Sequence, residues 1–243
     1  MRGHGASESH GRTLSALRGG ANYTVRFVRN YVKGWRRVFL LPLILLLGAF
    51  ALSSSRITLL RATGWALVAN DPIGPVDVII VSENAGGSGV LEAADLVQSG
   101  MATRVAVFAD PPVAEDLEFI RRGVPYEDWA ERSTMQLRLL GVPNVDRIPR
   151  VKTGSEAEAA TLPAWCQKHK IRSMILVTTT DHSRRLRRLL RRSINQSATR
   201  VIVRPSRYSR FDPDRWWQDR GGIRTEMIEL QKLLLDLVTH PFS

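Results

Sequence analysis

The alternation of hydrophobic and polar positions predicts an α/β domain in the C-terminal two thirds of the chain. Between short aliphatic runs lie stretches whose apolar residues recur at three- and four-residue spacing, as in amphipathic helices. Strands that alternate with helices in this way are typical of a parallel, doubly wound sheet. We therefore expect a Rossmann-like domain over residues 76–240, with a mainly parallel sheet of about five strands. The predicted strands are 76–81, 104–108, 145–151, 173–177 and 200–203.

The helical segments follow from the same spacing. Two of them are followed by Gly-Val-Pro, at 123–125 and 141–143, and glycine and proline placed there terminate helices. In the last helix, Met227, Leu230, Leu234 and Leu237 are expected to pack on the sheet. The predicted helices are 58–69, 90–99, 113–122, 131–140, 155–168, 184–192 and 223–238.

The N-terminal quarter has a different pattern, with one uncharged apolar run at 38–55 that predicts a transmembrane helix. Cations are dense before this run and sparse after it, which places the N-terminus in the cytoplasm and the α/β domain outside. Residues 1–22 are predicted to be a disordered cytoplasmic tail. Residues 23–37 are predicted to be a basic amphipathic segment on the membrane surface, and residues 56–75 a linker.

Two alternatives to an uncleaved anchor remain open. Residues 49–51, Ala-Phe-Ala, resemble a signal-peptidase site, which would release the domain. Arg36 and Arg37 before an apolar run resemble a twin-arginine export motif. All three interpretations export the domain, and we favour the uncleaved single-pass anchor.

Composition and charge narrow the classes of function. The net charge of +12 is concentrated before residue 38 and in residues 184–192, where six arginines lie opposite a leucine face. A solvated or lipid-facing helix surface explains these arginines, and no helix-turn-helix or zinc-finger spacing accompanies them, so nucleic-acid binding is not expected. With the single cysteine Cys166 and no HExxH-type spacing, no metal site is expected either.

The candidate site follows the predicted fourth strand, where Thr179, Asp181 and His182 precede a helix. In open α/β sheets, ligands bind where strands end and helices begin. The alternative is that these residues cap the helix and that His182 is structural. Thr153 and Glu156, after the third strand, have capping-box spacing.

A glycine-rich turn follows the first strand and includes Asn84, Gly86 and Gly87. Such a turn can bring backbone amides close to a phosphate or another anion. The spacing is not that of a dinucleotide fingerprint, and a merely flexible turn explains it equally well.

Residues 177–185, Val-Thr-Thr-Thr-Asp-His-Ser-Arg-Arg, resemble the Val-Thr-Ser-x-x-His-x-x-Arg segment of the ElyC/SanA/YdcF family. Other traits of the family follow in order: an aspartate before the first strand, Gly-Val-Pro before the third, and a threonine and a glutamate after it. The C-terminal traits are Trp216-Trp217, Gly222-Ile223-Arg224 and residues 229–232. The resemblance implies a Rossmann-type domain, often behind one membrane helix, in bacterial envelope biogenesis. One branch of the family is associated with S-adenosylmethionine, and the cofactor of this chain stays unassigned.

The chain departs from the family at the strand ends. Residues 82–84 are Ser-Glu-Asn where the family has three glycines, and the usual arginine of the next helix is missing from residues 91–94. Glu83 and Asp110 would add negative charge there, which disfavours a bound phosphate.

The resemblance implies two functions for an inner-membrane protein. In the first, it is an enzyme acting on an envelope carbohydrate or a lipid-linked precursor. In the second, it is a non-catalytic accessory subunit of an integral membrane complex. For the enzyme we expect His182 as a surface acid or base, oriented by Glu156, with strands three and four as neighbours. An anionic small molecule would be bound by Thr153, Thr179, Arg185, Arg224, Asn84, Gly86 and Gly87.

Overall fold

The computed structural model describes residues 42–46, 48, 53–194 and 199–241. The chain divides into two units between Leu59 and Leu60, and the second unit contains the whole sheet. The five strands are all parallel and follow the order β3-β2-β1-β4-β5. This confirms the predicted α/β class and is consistent with a Rossmann-like fold. The strands are β1 (Val78–Val81), β2 (Val105–Ala109), β3 (Val145–Pro149), β4 (Ser173–Thr178) and β5 (Arg200–Pro205).

Helices cover both faces of the sheet because successive residues of each buried strand point to opposite sides. On one face Ile80, Phe108 and Leu176 pack against α5 and α6, and on the other Ile79 and Val107 pack against α2 and α4. Short 3-10 turns occupy Glu83–Ala85 and Trp216–Gln218. The helices are α1 (Ser53–Ala66), α2 (Gly86–Gln98), α3 (Ala114–Arg121), α4 (Trp129–Leu139), α5 (Ser155–His169), α6 (Ser183–Ile194) and α7 (Arg220–Thr239).

Helix α2 begins four residues earlier than the predicted 90–99, so the glycine-rich segment is its first turn. After β1 the chain makes a single 3-10 turn and enters the helix directly at Gly86. Gly89 allows this helix to lie close to the sheet, since a Cβ there would collide with the side chains of Ala85 and Val81. Of the two alternatives for this segment, the merely flexible turn is therefore wrong.

The predicted packing face of the last helix is also wrong. Met227, Leu234 and Leu237 are 52%, 53% and 40% exposed, whereas Glu226 and Glu229 are buried. The physical reason is that α7 packs against α6 and a small cluster containing Leu67, Phe211 and Leu233, and not directly on the sheet. Its inward face therefore carries two carboxylates: Glu229 contacts His182 and Arg185, and Glu226 has no hydrogen-bond partner among the described residues.

The predicted tail (1–22) and juxtamembrane segment (23–37) lie outside the described residues. Of the predicted transmembrane segment (38–55), residues 42–46 and 48 and the start of α1 are described, and they are helical. Among the described residues, no helix has the length and apolar character needed to span a bilayer. Residues 60–75, expected as a linker, belong to the unit that contains the sheet, and Leu67 within them is 1% exposed.

Candidate functional site

A pocket of about 860 Å³ opens between β1 and β4, where the strand order reverses. Ligands of doubly wound domains bind at this position because the loops after the two strands diverge to opposite faces. We call this cavity the switch-point pocket. It is lined by the loop after β1, the loop after β4, the loop after β5 and the first turns of α7.

Two helices present their N-terminal turns to the switch-point pocket. Gly87 and Ser88 belong to the first turn of α2, and Gly221 and Gly222 to that of α7. No side chain caps α2; the Gly86 N–H donates to the Glu83 carbonyl of the preceding 3-10 turn, and the next residues, Gly87 and Ser88, face the pocket. In α7 the Asp219 side chain caps the helix by accepting from the Gly222 N–H at 2.9 Å. The uncapped α2 turn is therefore the better anion site.

The loop after β5 supplies Tyr208, Arg210 and Phe211 to the pocket. Glu92 of α2 holds this loop: its carboxylate accepts from Arg204 Nε and from the Arg207 backbone N–H, both at 3.0 Å.

Arg210 lies on the same loop, is exposed, and makes no salt bridge within the part of the chain that the structure describes. Its guanidinium is available to a ligand.

His182 lies in the wall of the pocket and is almost completely buried, at 1% exposure. Its Nε2 is 2.9 Å from Ser155 Oγ, and its Nδ1 is 3.0 Å from Glu229 Oε2. Arg185 Nη2 also lies 3.0 Å from Nδ1. The expectation that His182 is a surface residue is therefore wrong, because the tail helix and the start of α5 close over it.

Glu229 is an ionised partner of His182. Burial opposes ionisation of Glu229, but the hydrogen bonds from His182 and Lys232 and the charge of Arg185 hold the pKa of its carboxyl well below the usual range. A carboxylate only accepts hydrogen bonds and a guanidinium only donates them, so Glu229 matches a proton on Nδ1, whereas Arg185 Nη2 could donate only to an unprotonated Nδ1. In the tautomer with the proton on Nδ1, Arg185 bonds Glu229 through its Nε at 3.1 Å, and Nε2 accepts from the Ser155 hydroxyl.

Asp181, next to His182, also lines the pocket. Its burial raises its carboxyl pKa above the usual range, against the lowering effects of a hydrogen bond from Thr179 and the charge of His182. The pKa of Glu226, which lies nearby, is raised chiefly by burial and further by the charge of Asp181.

The carboxyl ends of β1, β2 and β3 hold a buried charge cluster. The Arg150 side chain is fully buried, and its guanidinium bonds Glu83 at 2.8 Å and Asp110 at 2.6 Å and lies 3.7 Å from Glu158. Its guanidinium carbon also lies 4.8 Å from the centre of the Phe108 ring. Glu83 and Asp110 thus pair with Arg150 and do not line the pocket, which corrects the expectation that they repel a phosphate.

Glu158 is the most perturbed member of this cluster. Burial raises the pKa of its carboxyl to about 7, against the lowering effects of the Glu83 N–H, the Ser82 hydroxyl and the charge of Arg150. Its two oxygens accept from Ser82 Oγ at 3.1 and 2.9 Å, and one accepts from the Glu83 N–H at 2.7 Å.

A second opening of about 940 Å³, the α5 cleft, runs along the start of α5. It is lined by Ser155 and by residues of α6 and α7 that include Arg185, Arg192 and Lys232. Lys232 also lines the switch-point pocket, so the Ser155–His182–Glu229 group lies between the two openings.

The predicted site residues divide between these two openings. Asn84, Gly87, Thr179 and His182 line the switch-point pocket, and Thr153, Glu156 and Arg185 line the α5 cleft. Gly86 and the exposed Arg224 line neither.

Strands β3 and β4 are not neighbours, contrary to expectation, because β2 and β1 lie between them. The predicted capping box is absent as well, since Gly154 is the N-cap of α5 and has no side-chain cap bond.

Five of the six arginines of α6 have partners within the chain and do not form the expected solvent- or lipid-facing surface; Arg191 is exposed. Arg187 pairs with Asp71 at 2.7 Å, and Arg188 pairs with Asp236 at 2.6 Å. Arg184 donates to the Val68 carbonyl at 2.8 Å. The reason is that α7 and the segment after α1 cover this side of α6 and supply the partners.

The sequence analysis missed Ser155 and Glu229 as members of the His182 group. Ser155 was hidden in a capping-box pattern between Thr153 and Glu156. Glu229 gave a usable signal, because it interrupts an otherwise amphipathic tail helix. No cluster of potential metal ligands occurs among the described residues.

Comparison of the chain with protein-family models, with curated proteins and with solved structures gives no match.

Proposed function

We propose that the switch-point pocket binds a small hydroxylated molecule with an anionic group, such as a sugar phosphate. The observation that supports this most is the convergence of Arg210 and the uncapped first turn of α2 on one pocket. A helix N-terminus offers N–H donors and positive potential to an anion, and a guanidinium adds a bidentate donor.

The rest of the lining suits the remainder of such a ligand. Asp181 and Asp219 provide acceptors for sugar hydroxyls, and Thr179 and Ser209 provide further polar contacts. Tyr208 and Phe211 provide ring faces against which the apolar side of a sugar can pack. The volume of about 860 Å³ is within the range of small-molecule sites.

We propose that this domain is anchored in a bacterial inner membrane and acts outside the cytoplasm in envelope biogenesis, as in the ElyC/SanA/YdcF family. The support is the apolar run at 38–55 with cations before it, together with the helical residues Leu43–Leu46, whose side chains are 49–66% exposed. An extracytoplasmic reporter fused after Ser243 should be active. A reporter active only in the cytoplasm contradicts this topology.

Binding is tested with the full chain in detergent micelles, titrated with glucose 1-phosphate by isothermal calorimetry. We expect heat from glucose 1-phosphate and little from glucose, because the phosphate meets Arg210. The variant Arg210→Ala should lose about tenfold or more in affinity, as removal of a charge-assisted hydrogen bond costs about 1.5–3 kcal/mol. Arg138→Ala, on the exposed side of α4, is the matched control. Equal affinity for Arg210→Ala and wild type contradicts the proposal.

A non-catalytic accessory function is favoured by one separate feature. Helix α3 buries none of its residues and exposes Leu117, Phe119 and Ile120 at 55%, 53% and 45%. An apolar helix of this kind is a suitable contact for a membrane protein partner. If Phe119→Ser abolishes complementation of a deletion strain while Arg210→Ala complements fully, the accessory function is the correct one.

A further inference from the structure

Ser155, His182 and Glu229 form a continuous hydroxyl–imidazole–carboxylate chain. The two contacts, 2.9 Å from Ser155 Oγ to Nε2 and 3.0 Å from Nδ1 to Glu229 Oε2, are hydrogen-bond distances. In the tautomer whose Nδ1 proton is donated to the ionised Glu229, Nε2 can accept the hydroxyl proton. In this arrangement an imidazole activates a hydroxyl as a nucleophile, and a carboxylate holds the imidazole in the required orientation.

We propose that Ser155 is a nucleophile and that the chain hydrolyses or transfers an acyl ester bound in the α5 cleft. This activity uses a different opening from the ligand site proposed above and does not depend on it. Ser155 is half-buried and lines the α5 cleft, so its hydroxyl is within reach of a substrate while His182 stays shielded from water.

The position of Ser155 in the fold supplies the second requirement, stabilisation of an oxyanion. Gly154 has φ of 97°, a conformation that glycine adopts readily, and this turn brings Ser155 to the first position of α5. The N–H groups in the first turn of a helix have no intrahelical acceptor. Since no side chain caps α5, the N–H groups of residues 155–157 can donate to a developing negative charge.

The reaction balances with water as the only co-reactant. Ser155 Oγ bonds to the ester carbonyl carbon while its proton moves to His182 Nε2, and the carbonyl electron pair moves onto the oxygen. The C–O bond to the leaving alcohol then breaks, and that oxygen takes the proton from Nε2. Water attacks the acyl group on Ser155, gives one proton to Nε2, and releases the acid as Ser155 Oγ regains that proton. An acceptor alcohol in place of water gives transfer.

The lining of the α5 cleft indicates the substrate class. Lys152 is exposed beside the cleft and makes no salt bridge among the described residues, whereas Arg185 and Lys232 pair with Glu229 and Arg192 pairs with Asp236. Leu189 and Leu235 add apolar surface. An acyl ester that carries a nearby anionic group fits this combination.

The test is covalent labelling of the full chain in micelles with a fluorescent alkyl fluorophosphonate. Ser155 Oγ would bond to phosphorus, fluoride would leave, and the hydroxyl proton would pass to His182. We expect a label on Ser155, located by peptide mass spectrometry. Ser155→Ala should abolish the label, Glu229→Gln should slow labelling by about 10²–10⁴-fold, and Ser99→Ala, at an exposed serine, should label like wild type.

Thermal unfolding of each variant separates loss of the nucleophile from loss of the fold. If Glu229→Gln does not fold, the labelling of Ser155→Ala alone tests the proposal. This variant is expected to fold because it removes only one hydroxyl from a half-buried position. A wild-type chain that is not labelled, or a label that persists in Ser155→Ala, overturns the proposal. Glucose 1-phosphate binding to Ser155→Ala should equal that of wild type, so failure of the nucleophile and failure of the ligand site give different results.

Discussion

The two halves of the sheet's carboxyl edge are used in opposite ways. At the ends of β1, β2 and β3, Arg150 is fully buried between Glu83 and Asp110, and Glu158 closes the cluster from α5. Between β1 and β4 the edge is open, and its cation, Arg210, is exposed on a loop. The same fold position thus supports stability on one side and offers a ligand site on the other.

The two arginines differ because Arg150 is paired with carboxylates of the same chain and Arg210, among the described residues, is not. A buried charge is tolerated only when it is paired, and three carboxylates surround Arg150. Arg210 has no comparable partner among the described residues and remains solvated, so it can pair with a ligand at little cost. An arginine at a strand end is therefore a site candidate only when its own chain has not neutralised it.

The largest expected effect comes from removing Arg150. Arg150→Met keeps much of the apolar stem but leaves the buried carboxylates without their cation. We expect a loss of about 3–5 kcal/mol in the free energy of unfolding, measured by urea denaturation. A loss below about 1 kcal/mol would mean that the cluster at the ends of β1, β2 and β3 contributes little to the stability of the fold.

The next largest effect is expected on the pH dependence of the free energy of unfolding, through the buried carboxyl of Glu158. Its pKa is raised from 4.5 to about 7 in the folded protein, so between these values the folded state holds a proton that the unfolded state releases. This contribution to stability is complete below about pH 4.5 and is lost as the pH rises through about 7, a change of about 3 kcal/mol. Glu158→Gln mimics the protonated group and should remove this part of the pH dependence. If the free energy of unfolding depends on pH identically in the variant and the wild type, Glu158 is not the source of this pH dependence.

Substitution of His182, in the wall of the switch-point pocket, should have an intermediate effect on the free energy of unfolding. His182→Ala removes a buried ring and its bonds to Ser155 and Glu229, so we expect a loss of about 2 kcal/mol in unfolding free energy. The surface position expected from the sequence would instead give a change within about 0.5 kcal/mol. A loss that small would contradict the buried, hydrogen-bonded position of His182.

The smallest effect on stability is expected at Arg210. Arg210→Ala removes an exposed side chain without a salt bridge within the described ranges, so the free energy of unfolding should change by no more than about 0.5 kcal/mol. Urea denaturation beside Arg150→Met gives a direct contrast between the two arginines. Similar losses for both variants would contradict the distinction between the buried, paired Arg150 and the exposed Arg210.

The sequence predicted the fold well because its signals are local. Every strand except β3 contains a short aliphatic run, and the observed strands lie within about two residues of the predicted bounds. The orientation of α7 could not be predicted in this way, since its inward face carries Glu226 and Glu229 in place of leucines. Glu229 is buried against His182 and Arg185, whereas neither oxygen of Glu226 has a hydrogen-bond partner among the described residues. No local pattern reveals either environment.

The candidate site shows the same limit. His182 and Thr179 were predicted from their position after a strand, and both line the pocket. Glu156 was chosen as the partner of His182, but the residue that contacts the imidazole is its neighbour Ser155. A shift of one residue at a helix start changes which side chain points inward, and that depends on the positive φ of Gly154.

A crystal structure of the protein with glucose 1-phosphate bound distinguishes the two arginines most directly. We expect the phosphate at the first turn of α2, within hydrogen-bond distance of the Arg210 guanidinium, with Arg150 still paired to Glu83 and Asp110. A phosphate bound by Arg150, or a ligand found only outside the switch-point pocket, would contradict it.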